Sequence, residues 1–372
     1  MNGLHIKSHI TEYDVFFKDN FSFFTKWVNE KNQVLIIDRN VYNIYTDVID
    51  SNFDVNNMYL FDALEENKTL EKVSEIYDYL TKRRAKRNLT IISIGGGITQ
   101  DVTGFVASTL YRGVRWIFVP TTFLAQTDSC IGSKTSLNFK KFKNLIGTFY
   151  PPVEVYIDTE FLGTLDRNGF YSGLGESIKL QLMKEQYPKD IDAIIDAVER
   201  AKSDTSFIRA LIRDNLEVKL SYMEGDEFDC GRRNLLNFGH TLGHALETTS
   251  AYYVPHGIAV NIGMIFAEAL SLQRGMLGDG VFEKLTRELH LENIPLELRE
   301  KDFECERLLE CVKADKKRVG KDLTIVLPDG EFRLHKVDNV TEGEFHEALK
   351  DLHHVLFPCR CGVVQTNLGK RE

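Results

Sequence analysis

His240 and His244 stand four residues apart in NFGHTLGHALE, and His256 follows in YYVPHG. Residues four apart share one face of a helix, so two imidazoles point the same way and a third arrives from the next segment. Three of the chain's ten histidines within seventeen residues point to a metal. A catalytic zinc keeps three protein ligands and an open position, and a carboxylate frequently replaces one histidine. Spacing alone proposes His240, His244 and His256. Glu176 in SGLGESIKL competes for a place, three residues before Lys179 on the same helix face.

A second group is the turn GGGITQD (Gly95–Asp101), which follows the apolar run LTIISI and precedes VTGFVASTLYRG. Residues without Cβ let backbone amides approach an anion at the positive end of a helix, as a phosphate cradle requires. The turn is not GxGxxG, because Gln100 takes the third position, and by itself it serves equally well to close a strand. Asp38, which ends VLIID, suits a ribose hydroxyl pair or caps the following helix. A third group is cationic: Arg112, Lys134, Lys143, Lys179, Lys219, Arg232, Arg233 and the Lys316–Lys317 pair lie beside glycine, asparagine or aspartate. Near metal candidates in an acidic chain, such cations suggest a small polyanionic substrate. Asp128, among small residues in TDSCIG, is placed to orient a cofactor or a lysine.

These groups need elements to hold them. NQVLIID (Asn32–Asp38), LTIISI (Leu89–Ile94) and VRWIFVP (Val114–Pro120) read as strands, and LEKVSEIYDYLTKR (Leu70–Arg83) has helical spacing. This rhythm predicts a parallel sheet with helices on its faces and ligands at the carboxyl ends of the strands. Asp38, Asn40, Gly95, Gly96, Gly97, Thr121 and Thr122 all fall at such ends. From about Thr164 the period becomes helical through FIRALIRDNLEVKLSYM, RNLLNFGHTLGHALETTS and GIAVNIGMIFAEALSLQ, while LTIVLPDGEFRLHKV reads as two extended runs joined by a turn. A chain of 372 residues is long enough for two cores. The expected division is an α/β Rossmann-like domain over 1–165 and a mainly α-helical domain over 166–372.

With 46 basic and 55 acidic residues the net charge is −9, without a basic tract, so no nucleic-acid partner is expected. The start MNGLHIKSHITEYDVFF lacks the pattern of a secretory signal, and VRWIFVPTTFLA is interrupted by Arg115 and Pro120 before it could span a bilayer. A cytoplasmic protein with no membrane partner is expected. Six cysteines show no zinc-finger spacing and read as reduced thiols, with Cys359 and Cys361 either a metal pair or part of a frayed tail.

The segments GGGITQDVTGF, YRGVRWIFVPTTFLAQTDSCIGSKT, KNLIGTFYPP, GLGESIK, RNLLNFGHTLGHALE and HGIAVNIGM, in this order between about Asp38 and Lys317, resemble 3-dehydroquinate synthase and the related sugar phosphate cyclases. The resemblance implies a two-domain homodimer, with NAD⁺ on the N-terminal domain and a divalent metal, Zn²⁺ or Co²⁺, in the cleft against the helical domain. It makes Glu176, His240 and His256 the metal ligands and moves His244 to a substrate contact. Around NAD⁺ it places Asp38, Asn40, Glu65, Lys68, Gly95, Gly96, Gly97, Asp101, Thr121, Thr122, Asp128 and Lys143. On substrate positions it places Lys134, Asn144, Lys179, Lys219, Arg233, Asn237 and one of Lys316 or Lys317, with Arg112 reaching across the dimer interface.

The implied reaction is the conversion of 3-deoxy-D-arabino-heptulosonate 7-phosphate to 3-dehydroquinate and phosphate. It runs by transient oxidation with NAD⁺, phosphate elimination, reduction and aldol closure, with no net redox change. One loop departs from the synthases, which usually read GGKTAVNHPxGKN where this chain has GSKTSLNFKKFKN. That loop is more like cyclases acting on sedoheptulose 7-phosphate, whereas Arg233, Asn237 and His244 match the carboxylate-accepting pattern. The alternatives are a 2-epi-5-epi-valiolone, 2-deoxy-scyllo-inosose or aminodehydroquinate synthase, or a metal-dependent polyol dehydrogenase.

Overall fold

The computed structural model describes residues 3–27, 32–140, 142–314 and 322–358; Lys316, Lys317, Cys359 and Cys361 lie outside them. Two compact units form, Met1–Gln186 with Asp190–Leu236, and Tyr187–Lys189 with Asn237–Glu372.

In the first unit the strands are β1 (Gly3–Ile6), β2 (Tyr13–Lys18), β3 (Gln33–Asp38), β4 (Met58–Phe61), β5 (Thr90–Gly95), β6 (Arg115–Pro120), β7 (Lys134–Phe139), β8 (Phe142–Phe149) and β9 (Glu154–Asp158). Seven of them make one sheet in the order β1-β2-β9-β6-β5-β3-β4, parallel throughout except for β1 against β2. Strands covered on both faces read as unbroken apolar runs. Val34–Ile37, Ile91–Ile94 and Trp116–Val119 accordingly all bury their side chains, Ser93 being the one polar residue among them. The register pairs Ile37 with Ile94 and Gly95 with Pro120, and the Thr121 amide donates to the Gly95 carbonyl at 3.0 Å. Asp38, Gly95 and Thr121 therefore stand side by side at one end of the sheet. β7 and β8 form a separate antiparallel hairpin.

The helices of this unit are α1 (Arg39–Ile44), α2 (Thr46–Asp50), α3 (Leu70–Lys82), α4 (Gly97–Thr109), α5 (Arg167–Met183), α6 (Ile191–Ala201) and α7 (Thr205–Met223). Helical character sets in at α5, close to residue 165, yet this compact unit runs on to Leu236. The reason is packing: every residue of α5 from Ser172 to Met183 is buried. A Cβ on Gly173 would stand 2.4 Å from Phe123 Cβ, so α5 is pressed onto the segment that follows β6.

The second unit contains α8 (His240–Thr249), α9 (His256–Gln273), α10 (Asp279–Lys284) and α11 (Cys305–Lys313), the antiparallel pair β10 (Leu323–Pro328) and β11 (Leu334–Val340), and α12 (Glu342–Leu356). RNLLNFGHTLGHALETTS is not one continuous helix. A 3-10 segment, Arg232–Asn237, is followed by Gly239 at φ 74°, and α8 begins only at His240. A side chain at Gly239 would meet the Val260 carbonyl oxygen at 2.6 Å, and one at Gly263 would meet the Gly239 carbonyl oxygen at 1.9 Å. Without them α8 and α9 lie backbone to backbone. Among the described residues no helix is long and apolar enough to cross a membrane.

Candidate active site

At the sheet's ligand end, Gly96 caps α4 and Gly97 opens it. A Cβ on Gly96 would reach Thr122 Cγ2 at 3.0 Å, while one on Gly97 would have only Ser129 Oγ, 3.8 Å away. The first turn of this thirteen-residue helix is thus a shallow cradle of amides, and helix N-termini favour anions. Asp38 Oδ1 accepts from the Asn40 amide at 2.9 Å, so the helix-capping role is real; burial pushes its carboxyl up. Beside this cradle, Lys68 Nζ stands 2.6 Å from Asp101 Oδ2 and 2.6 Å from Asn144 Oδ1. Ser136 closes the network by donating its amide and hydroxyl to Asp101 at 3.0 and 2.9 Å. Asn138 Nδ2 donates to Glu65 Oε1 at 2.8 Å, and Lys143 Nζ lies 3.8 Å from the same oxygen. Asn144 holds φ 50°, a conformation asparagine tolerates better than most residues.

A second cluster forms where α5, α7 and the turn after β6 meet. Lys179 Nζ lies 2.5 Å from Glu176 Oε2, and Lys219 Nζ lies 3.1 Å from Asp128 Oδ1 and 2.6 Å from the Asp128 carbonyl oxygen. Burial works against all of these charges. For Asp128 the two lysines outweigh it and hold the carboxyl below its usual range. For Lys179 the neighbouring Glu176 and Asp128 outweigh burial and raise the ammonium's pKa, whereas for Lys219 burial prevails and lowers it. Asn215, fully buried one helical turn before Lys219, ties the three elements together. Its Nδ2 donates to Thr127 Oγ1 at 2.6 Å and Ser177 Oγ at 2.7 Å, while its Oδ1 accepts from Gln181 at 2.7 Å.

Arg233 is buried behind the loop that follows α7. Its Nη1 donates to the Glu227 carbonyl, its amide donates to Asp226 Oδ2 at 2.9 Å, and Gly132 leaves room for Nη2. Asp229 in the same loop pairs with Lys134 Nζ at 2.6 Å. Arg112 ends an exposed turn in which Tyr111, Arg112 and Gly113 all have positive φ.

In the second unit the tight α8–α9 contact brings His240, His244 and His256 together. Their ligand atoms lie within 4.8 Å of one another, a spacing that one metal ion fits. Ring centroids stand 5.3 to 5.6 Å apart. Nδ1 of His240 lies 3.0 Å from the Phe238 carbonyl and Nδ1 of His256 lies 3.0 Å from Glu247 Oε2. Such outer partners fix the tautomer and leave Nε2 to a metal. Asn237 immediately precedes this region, half-buried.

The structure therefore groups the sequence-predicted residues in three sets: Glu65, Lys68, Asp101, Lys143 and Asn144 beside the glycine cradle; Asp128, Glu176, Lys179 and Lys219; and the three histidines. Sequence reasoning missed Ser136, Asn138, Asn215, Asp229 and Glu247. Ser136 and Asn138 alternate with Lys134 along β7, a period-two signal present in KTSLNF. Asn215 and Asp229 pair with residues distant in the chain, and Glu247 reaches His256 only through the packing of α8 on α9.

The N-terminal model of the 3-dehydroquinate synthase family matches residues 58–172 and the C-terminal model matches residues 173–318. A 3-dehydroquinate synthase of Clostridium tetani is 39% identical over 320 residues, 85% of this chain and 84% of that protein. Among solved structures, 2-epi-5-epi-valiolone synthase of Streptomyces hygroscopicus, with NAD⁺ and Zn²⁺ bound, superposes with a TM-score of 0.80 at 24% identity, covering 94% of this chain and 98% of that one. A 2-deoxy-scyllo-inosose synthase complexed with carbaglucose-6-phosphate, NAD⁺ and Co²⁺ gives 0.80 at 23% identity, covering 94% and 99%. These two likenesses establish the fold. Both halves of the family model, in order, together with a relative that shares most of its length, place this chain in the 3-dehydroquinate synthase family.

Proposed function

We propose that this chain is a 3-dehydroquinate synthase: a carbon–oxygen lyase that converts 3-deoxy-D-arabino-heptulosonate 7-phosphate to 3-dehydroquinate and phosphate. The observation that carries the choice of substrate is Arg233. The residue is 5% exposed, and among the described residues no carboxylate lies within ion-pair distance of its guanidinium. Asp226 feels the guanidinium's charge without pairing with it directly, so a direct partner is left for the ligand to supply, and a planar fork suits a carboxylate.

The glycine cradle, Asp38 and the Lys68–Asp101 network fit a dinucleotide: amides for its pyrophosphate, and a half-buried carboxylate at the neighbouring strand end for its ribose. Asn40, Glu65, Thr121, Thr122, Asp128 and Lys143 complete the NAD⁺ contacts. His240, His256 and Glu176 are the proposed metal ligands, and His244 faces substrate. When bound, NAD⁺ exchanges hydride with the ring alcohol, and the divalent metal, Zn²⁺ or Co²⁺, acts as a Lewis acid toward substrate oxygens. The protein's share is electrostatic and positional. Lys134, Lys179 and Lys219 offset the charge on substrate and on the departing phosphate, Arg233 orients the carboxylate, and Asn144, Asn237 and His244 hydrogen-bond the polar groups. The protein works as a cytoplasmic homodimer to which Arg112 contributes from an exposed turn. Domain roles follow: NAD⁺ binding in 1–165, metal and substrate binding in 166–372.

A valiolone-type cyclase is the second reading, favoured by Ser133, Phe139 and Phe142 in the departing loop. Phe139 pairs with Phe142 at the closed end of the β7–β8 hairpin, where both are exposed. Arg233 therefore weighs more. Phosphate release from a panel of sugar phosphates tests the choice: the seven-carbon keto acid should react fastest. Preference for sedoheptulose 7-phosphate would overturn the substrate, and NADH accumulation without phosphate release would favour the polyol dehydrogenase.

A further inference from the structure

Glu227 has no part in the roles given above, although its backbone carbonyl receives the Arg233 guanidinium. Its carboxylate is buried, with the Ser133 hydroxyl beside it, and is held mainly from far away in sequence, by the loop that joins β1 to β2. Ser8 Oγ donates to Oε1 at 2.7 Å, the His9 amide donates to Oε2 at 2.7 Å, and His9 Nδ1 stands 3.0 Å from the same oxygen. The β1–β2 segment makes a second contact nearby, where the Gly132 amide, two residues before Lys134, donates to the buried Tyr13 hydroxyl at 2.8 Å. Asp226 meanwhile folds the loop on itself by accepting from the amides of Cys230, Gly231 and Arg233 at 2.7, 2.8 and 2.9 Å.

A carboxylate removed from water keeps its charge only while its donors stay in place, and hydrogen bonds to an ionised acceptor are the strong ones. Ser8 and His9 thus set where Glu227 lies. The carbonyl of the same residue then sets where the guanidinium points. We propose that Glu227 is a positioning residue through which the β1–β2 loop aims Arg233 at the substrate's carboxylate. This rests on the carboxylate role given to Arg233 above. The His9 imidazole is largely exposed and adds little, so the weight falls on the Ser8 hydroxyl and the His9 amide.

The test compares Ser8→Ala, Ser8→Thr, Glu227→Ala, the Ser8→Ala/Glu227→Ala double variant and Arg233→Ala. KM and kcat for the keto acid are measured, together with hydrogen exchange at the amides of Cys230, Gly231 and Arg233. A contact to the substrate's carboxylate is made equally in ground and transition states, so a loosened anchor should cost roughly 3- to 10-fold in KM for Ser8→Ala and about 30-fold for Glu227→Ala, with kcat within about 2-fold. Ser8→Thr should recover most of the affinity. The double variant should match Glu227→Ala, because both changes remove one link, and exchange should quicken in both single variants. Ser8 sits on an accessible loop, so its variant reports even where Glu227→Ala folds poorly. Unchanged KM and exchange in Ser8→Ala and Glu227→Ala, with Arg233→Ala impaired, would overturn the anchor alone. Unchanged KM in Arg233→Ala would remove the carboxylate reading and with it the aim of the anchor.

Discussion

Glu176 and Lys179 lie on a helix buried on every side, whereas His244 on α8 is exposed and His240 and His256 are half-buried. In the first region each charge is held by its opposite: Lys179 by Glu176, Lys219 by Asp128, with Asn215 fixing the helices that carry them. In the second the backbone does the holding, since Gly239 and Gly263 let α8 meet α9 closely, and outer partners turn the imidazoles. The difference teaches how the two regions should fail. Removing one member of a buried pair strands the other and disturbs structure and binding together. Removing His240 or His256 from a preformed face should cost the metal and leave the fold intact.

The largest effect is expected at that face. His256→Ala and His240→Ala should lose the metal and at least about 10³ in turnover while keeping the melting curve of metal-free wild type, and Glu176→Ala should lose metal as well. His244→Ala should keep metal content and lose activity only. Metal analysis of the four purified variants checks this; full loss of metal in His244→Ala with retention in Glu176→Ala would favour the all-histidine set that spacing proposes.

Next in size is Arg233→Ala. Losing a desolvated charge partner costs roughly 2–5 kcal/mol, which corresponds to about 30- to 5,000-fold in kcat/KM, with partial rescue by lysine because a point charge cannot reproduce the fork. Metal content should not change. Specificity constants for the keto acid and for sedoheptulose 7-phosphate measure it, and an equal loss for both substrates would show that Arg233 does not read the carboxylate.

A smaller effect should come from Glu247→Ala, which removes the partner of His256 Nδ1. Outer-shell losses of this kind typically weaken metal binding by about 10- to 100-fold. A competition titration with a chelator would show it, and unaltered affinity would mean that α9 alone orients His256.

Much of this arrangement was legible in the chain. Strands buried on both faces leave apolar runs, so β3, β5 and β6 could be read within a residue of their ends, and the strand-end rule then located Asp38, Gly95 and Thr121. The histidine group was legible because two members share a helix face and the third opens the next helix. What stayed hidden depends on pairing across the fold. Glu247 finds His256 only because α8 packs on α9, and Asp229 finds Lys134 across 95 positions. Helical periodicity shows that α5 and α7 are helices but not which core they join. The break before α8 was likewise invisible in the helical pattern, although Gly239 marks it.

The smallest effect lies away from both regions, at the start of α12. Glu344 completes a capping box with Thr341, and the Arg274 guanidinium, with the Thr341 amide and hydroxyl, holds its carboxyl down at about 2, below the ordinary 4.5. A depressed folded-state value stabilises above the ordinary one, and that contribution fades as pH falls toward 2. Glu344→Gln should therefore cost on the order of 1 kcal/mol at pH 7, in the range of helix caps, and the gap from wild type should narrow between pH 5 and pH 3. Thermal unfolding across that range measures it; a gap that widens on acidification would contradict the sign.

The central claim is that the cofactor works as a catalyst and is not consumed. Purified protein, metal and 3-deoxy-D-arabino-heptulosonate 7-phosphate should be mixed with about one-tenth as much NAD⁺ as substrate, following phosphate and the NADH absorbance together. The expected result is complete release of phosphate with no steady rise of NADH. NADH growing until the NAD⁺ is spent, with no release of phosphate, would contradict the cyclase and leave an oxidoreductase in its place.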